Sequence, residues 1–248
     1  LLNQIAAIHS TTGGGGGIPV SGYSLWLDAS DANTFSYSSG SVVSQWNDKS
    51  ANAYNLTQGT VGYQPTRQTN VQNGLPAVAF GNKFMANSSV AWGASSTTLF
   101  IVAKEDKSLG TNFQNIVTTG TGATGQWGYG ITSDGTSEYL AIFDIGQGYS
   151  AFNTVMTNGN SDVLAFKSAG ISSGSVTSSM WKNGTAAAVQ PATLNNTTSA
   201  TGFQIGAAAS ASEPFFGWIC EIILYPSQLS DTDRVSVQDY LKTKWGTP

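Results

Sequence analysis

Few side chains in this sequence are suited to chemistry, and their placement excludes more than it permits. The single histidine, His9, precedes a glycine run at Gly13–Gly17, and the single cysteine, Cys220, lies inside an apolar stretch. A Ser-His-Asp or Cys-His nucleophile therefore has no base in the body of the chain, and a zinc site lacks ligands. Cys220 reads as a small buried hydrophobe. Gly120-Thr121-Gly122-Ala123-Thr124-Gly125 matches Gly-x-Gly-x-x-Gly. A dinucleotide site needs a helix N-terminus next, and Gln126-Trp127-Gly128-Tyr129 reads as a strand, so the match is a glycine loop. Asp28 with Asp31, or Asp48 with Asn52, could offer oxygens to calcium, but the same side chains close Asx turns. No metal and no cofactor is assigned.

Sugar recognition is the chemistry that the remaining polar and aromatic residues could perform. It uses ring faces against pyranose C–H groups beside side chains that bond hydroxyls. Trp127, Tyr129, Asp134, Asp144 and Tyr149 form the richest candidate carbohydrate-binding set, with Trp92 and Tyr63 as alternatives. For each ring the competing reading is the core. Trp26, Trp46, Trp181, Trp218 and Trp245 read as core, because each sits in a strand or a helix stripe. Acid–base work would need paired carboxylates. Glu105 and Asp106 point to opposite faces if extended, and Glu221 is isolated in an apolar strand, which leaves a distant pair such as Asp28 with Glu221.

These residues must be positioned by a large β domain. The 248 residues suffice for one all-β domain with a sizeable core. Only 10% of them are charged, against about 25% as usual, and Gly, Ser, Thr and Asn fill the surface. A net charge of −4 with no Lys/Arg cluster excludes nucleic acid and anionic membranes as expected partners. No apolar run approaches the roughly 20 residues of a membrane span.

The stretch Phe215–Tyr225 is apolar on both alternating faces and predicts a long central strand covered on both sides. Pro226 ends it, and Ser230 with Asp233 opens a helix. Val237, Tyr240, Leu241 and Trp245 form its apolar stripe, and Gly246 stops it. Shorter strands are expected at Tyr23–Asp28, Val42–Trp46, Thr97–Ala103, Trp127–Ile131, Tyr139–Phe143 and Val163–Phe166. An Asn183-Gly184 hairpin is expected as well. Residues 1–22 read as a helical remnant and a glycine linker, a stalk or anchor, or alternatively a disordered leader. Residues 23–248 form the domain.

Three stretches carry a resemblance: Leu25–Asp31 with Trp46–Asn52, Asn73–Phe80, and Phe216–Tyr225 with Tyr240–Gly246. Together they resemble the concanavalin A-like, laminin-G-like jelly roll found in bacteriophage virion proteins and bacterial surface proteins. The resemblance implies an all-β antiparallel sandwich with one C-terminal helix, at a virion surface or outside the cell. With the linker and helical remnant of residues 1–22, it favours a non-enzymatic binding module, the head of a phage fibre or adhesin contacting host-surface glycan. Residues 1–22 would then contact other virion proteins, or a trimer of the chain. The alternative is a structural capsid or tail decoration. Some enzymes of this fold carry Glu-x-Asp-x-Glu on one strand, and that run does not occur here. A glycoside hydrolase with a dispersed carboxylate pair ranks third.

Overall fold

The structure is a computed structural model describing residues 17–92, 95–108, 113–120, 126–133, 138–144, 148–172, 174–189, 191–195, 201–208 and 211–248. The expected helical remnant of residues 1–8, most of the glycine run, and Asp134 lie outside the described residues.

Eighteen strands and one α-helix follow one another along the described chain. The first group is β1 (Leu25–Asp28), β2 (Phe35–Ser39), β3 (Val42–Trp46), β4 (Leu56–Thr57), β5 (Thr66–Gln72), β6 (Leu75–Phe80) and β7 (Met85–Ala91). Next come β8 (Thr97–Glu105), β9 (Phe113–Thr119), β10 (Trp127–Ser133), β11 (Glu138–Asp144) and β12 (Gly148–Ala151). The last are β13 (Asp162–Ser172), β14 (Ser175–Lys182), β15 (Thr185–Ala186), β16 (Ala192–Asn195), β17 (Thr201–Ile205) and β18 (Gly217–Tyr225). The helix α1 (Asp231–Trp245) closes the chain.

All the strand ladders are antiparallel, and they form two runs. One is β16–β14–β13–β8–β18–β1, with β6 and β5 beside the first half of β18. The other is β12–β11–β10–β9–β17–β7–β4–β3–β2. A single pair, Val42 with Thr66, joins them. The strand expected to be central is so: β18 has β8 on one side and β6 and β1 on the other.

Alternation assigns the faces. Leu25, Ile101, Leu164, Phe166, Ile222 and Leu224 share one side of the first run and are buried. Trp127, Tyr129, Leu140 and Ile142 line the second run's matching side. Tyr129 stacks on Phe166 at 3.9 Å between ring centroids, so the two inner faces meet in one core. The β9–β10 register slips between Tyr129 and Gly130, drawing the strands together. A Cβ at Gly130 would lie 1.9 Å from the Gln114 carbonyl oxygen, so only glycine fits.

The outer side of the first run lies under α1. Ser230 caps that helix, its Oγ accepting from Asp233 N–H at 3.1 Å, and Gly246 ends it in the left-handed conformation. Val237, Leu241 and Trp245 are buried as the stripe requires. The Asn183-Gly184 hairpin also forms, both residues at positive φ between β14 and β15. Of the five tryptophans expected in the core, Trp46 and Trp245 are fully buried, while Trp26, Trp181 and Trp218 are half-buried at its margin.

Candidate functional site

Asp28 and Glu221 are direct cross-strand partners, so the distant carboxylate pair suggested by the sequence does come together. Two like charges placed opposite each other repel unless a cation sits between them. Lys244 does so, with Nζ 2.8 Å from Asp28 Oδ1 and 2.7 Å from Glu221 Oε2. Lys49 reaches Asp28 Oδ2 at 3.2 Å and Asp31 at 2.9 Å. Trp26 Nε1–H donates to Glu221 Oε1 at 2.8 Å, and Trp245 Nε1–H donates to Oε2 at 2.6 Å. Burial raises the Glu221 pKa, reinforced by the Asp28 charge. Burial also acts upward on Asp28, but Lys244 and Ser30 outweigh it and hold that carboxyl below its usual range. Both Glu221 oxygens are occupied and closed off from solvent. The pair fastens α1 to β1 and β18, and has no oxygen to offer a substrate.

The possible calcium ligands are occupied in the same way. Asp48 accepts from the backbone N–H groups of Trp26, Ser50 and Tyr54, and Asp31 from that of Asn33. These are the Asx-type turn contacts that competed with the metal reading. Cys220 is fully buried, and burial pushes its thiol up to about 12.

A second carboxylate cluster closes one end of the core. Alternation from Leu99, Ile101 and Ala103 turns Glu105, the last residue of β8, inward, while Asp106 turns out to cap Ser108. Gln114 on β9 bridges the runs, its Nε2–H donating to Glu105 Oε1 at 3.0 Å and its Oε1 accepting from Phe216 N–H at 2.9 Å. Lys107 Nζ lies 2.6 Å from Glu138 Oε2 but 3.6 Å from Glu105 Oε2. Glu105 Oε2 is buried and has no hydrogen bond among the described residues. Burial, followed by the nearby Glu138 charge, raises the Glu105 pKa to about 7 despite Lys107 and Gln114. The cluster therefore holds a proton that can leave near neutral pH, beside a half-buried carboxylate and cation. Sequence reasoning set Glu105 aside. The signal that could have found it was a charged residue in register with the inward side chains of an apolar strand.

Beside this cluster the second run carries aromatic rings on its other face. Phe113 pairs with Thr132 at the start of β9, Thr132 pairs with Tyr139, and Tyr139 follows Glu138 on β11. Phe143 is buried outside the main core cluster, beneath Phe113 at 6.3 Å and Tyr149 at 5.9 Å. Phe113 and Tyr149 lie 6.0 Å apart and are 39% and 45% exposed. Both are among the exposed large apolar side chains of the described residues.

Of the five residues proposed to bind carbohydrate, four lie among the described residues, and they do not form one exposed surface. Trp127 and Tyr129 are 0% and 1% exposed. They pack against Trp92 and Phe166, and Tyr129 Oη hydrogen-bonds Ser178, so neither meets a sugar and the expectation for both is corrected to core. The physical reason is parity, since both alternate inward from Ile131. Trp92 is buried with them. Asp144, the cross-strand partner of Trp127, is buried, and neither of its carboxylate oxygens has a hydrogen bond among the described residues. Desolvation raises its pKa. Tyr149 is exposed as expected, whereas Asp134 is outside the described residues. Tyr63 is exposed but rests on Phe84, on another part of the chain.

No family model and no curated protein matches the sequence. Solved structures do resemble the fold. Domain 4 of AbnA, an extracellular arabinanase of Geobacillus stearothermophilus in complex with arabinotriose, shares 14% identity at a TM-score of 0.53. The match covers 88% of this chain and 97% of that one. An arabinofuranosidase complexed with arabinofuranosyl-alpha-1,2-xylobiose matches at 0.59 and 14% identity, covering 91% of this chain and 60% of its own. Trypanosoma rangeli sialidase in complex with sialic acid matches at 0.57 and 12% identity, covering 93% and 34%. This chain thus spans only part of the arabinofuranosidase and the sialidase.

These likenesses support a β-rich fold and overturn the functional expectation drawn from the phage-type resemblance. That expectation, a non-enzymatic fibre head or a virion decoration, joined the fold resemblance to the linker and helical remnant of residues 1–22. The fold likeness found leads instead to an arabinanase, an arabinofuranosidase and a sialidase. The expectation that the chain is not an enzyme is corrected on the same ground.

Proposed function

We propose that this chain is a carbohydrate-active domain of a glycoside hydrolase, built as a two-layer jelly roll, that takes an arabinose-containing oligosaccharide against Phe113 and Tyr149. The observation that carries the reading is the likeness, over 88% of this chain and 97% of the other, to an arabinanase domain in complex with arabinotriose. Two half-exposed rings 6.0 Å apart offer apolar faces to sugar C–H groups. One observation bears on a hydrolytic role for the domain itself. Glu105 and Glu138 share Lys107, but both face inward, apart from the rings, so such a role would need a site separate from the ring surface.

Calorimetric titration with arabinotriose and incubation with linear arabinan under a reducing-end assay test both roles. Saturable binding weakened about tenfold by Tyr149→Ala, or about 1.4 kcal/mol, is the expected outcome. Binding that survives both Phe113→Ala and Tyr149→Ala unchanged would remove the proposed surface. Failure to bind or cleave any arabinose-containing glycan would remove the function.

A further inference from the structure

We infer that Glu105 is a positioning residue for the Phe113–Tyr149 surface, acting directly through Gln114 and indirectly through Lys107 and Glu138. The inference deepens the glycan reading and rests on it for its consequence in binding, but its effect on the rings belongs to the free protein.

Two connections carry it. Gln114, the neighbour of Phe113, spends both polar ends on the interior, one on Glu105 and one on Phe216 N–H, so the start of β9 is fixed by Glu105. Glu138, the neighbour of Tyr139, is held by Lys107, and Tyr139 pairs with Thr132, which in turn pairs with Phe113. Gln114 beside Phe113, and Glu138 through the Tyr139–Thr132 pairing, are therefore both tied to one buried carboxyl, and Tyr149 is reached through the Phe113 ring 6.0 Å away. Its surroundings contain few charges. Lys107 follows β8, Glu138 comes from β11, β9 contributes the neutral Gln114, and β18 contributes the backbone of Gly217.

The arrangement has two states. With Glu105 neutral, Lys107 is left to Glu138 at 2.6 Å. With Glu105 ionised, its free Oε2, 3.6 Å away, competes for the same ammonium group. A buried carboxylate without a partner costs several kcal/mol, so the competition favours Glu105 and loosens Glu138 at the start of β11. The change then reaches Phe113 along the Tyr139–Thr132 pairing.

The test follows the aromatic ring resonances of Phe113 and Tyr149 in the free protein between about pH 5 and pH 9, assigned with Phe113→Leu and Tyr149→Leu. Both rings should shift with a midpoint about 7. In Glu105→Gln the transition should vanish. In Lys107→Met the midpoint should rise, since the cation that favours the ionised form is gone, and the shift should shrink to the part carried by Gln114. Lys107 is half-buried, and its variant keeps the test open if the interior substitution fails to fold. Rings that stay still in the wild type, or titrate alike in Glu105→Gln, overturn the inference. Arabinotriose affinity across the same range should change about threefold or more in the wild type alone. Titrating rings with no arabinotriose binding leave the inference standing and sink the glycan reading. Binding with static rings does the reverse.

Discussion

Two glutamates are buried in the same all-β body and treated in opposite ways. Glu221, on the face beneath α1, receives two indole N–H groups and an ammonium group, and its cation is shared with Asp28. Glu105, at the end of the core, receives one amide N–H, and its second oxygen has no hydrogen bond among the described residues. Burial raises the pKa of both. The difference lies in coordination. A carboxylate whose lone pairs are all used is a fastening, and its removal strands the donors around it. A carboxylate left half satisfied is cheap to replace and easy to protonate.

The comparison is broken most directly at Glu221. Glu221→Ala leaves the Trp26 and Trp245 indole N–H groups without their acceptor and Lys244 with Asp28 alone, and should cost about 2–4 kcal/mol in urea unfolding. The helix should loosen first, since Trp245 and Lys244 are its last-turn contacts with β18. A loss below about 1 kcal/mol would mean the network is no more than a surface ion pair.

Glu105 should respond in the other direction. Its ordinary value of 4.5 applies to the unfolded chain, and its folded value is about 7. Between these pH values the folded state keeps a proton that the unfolded state has lost, so stability is greatest below the lower value and falls as pH rises to the upper one. The loss is on the order of 2–3 kcal/mol. Glu105→Gln keeps the oxygen that accepts from Gln114 and cannot ionise. Its stability should be level across that window and exceed the wild type by about 2 kcal/mol at pH 8. Unfolding curves at acid and alkaline pH decide this, and a variant less stable than wild type at both would place Glu105 with Glu221.

The sequence shows the fastened region more clearly than the poised one. Ser230, Asp233, the stripe from Val237 to Trp245 and Gly246 are local signals, each readable within a turn or two, and the helix forms where they place it. The apolar run ending at Tyr225 announces β18 for the same reason. Polar strands such as Phe35–Ser39 and Met85–Ala91 lack such a pattern, because pairing partners far along the chain select them. The Glu105 cluster depends on β8, β9 and β11 meeting, which no spacing within one segment reveals. Trp127 and Tyr129 failed as ligand rings through parity. The alternation that makes Trp127–Ser133 a strand also sends both rings inward with Ile131.

Asp144 sharpens the comparison at its limit. It ends the strand that Glu138 begins, on the inward side with Leu140 and Ile142, and neither of its carboxylate oxygens is bonded among the described residues. Glu221 has three donors and Glu105 one, so Asp144 completes a descending series in which each lost donor makes the negative charge harder to hold. Desolvation raises its pKa, so ionisation weakens the fold as pH climbs above the ordinary value of 3.8. Asp144→Asn preserves shape and removes the charge, but its amide still lacks partners, so the gain should be modest, about 1 kcal/mol at neutral pH. It should shrink toward zero in acid, where the wild-type carboxyl is already neutral. A gain that persists undiminished in acid would trace the effect to packing and take Asp144 out of the series.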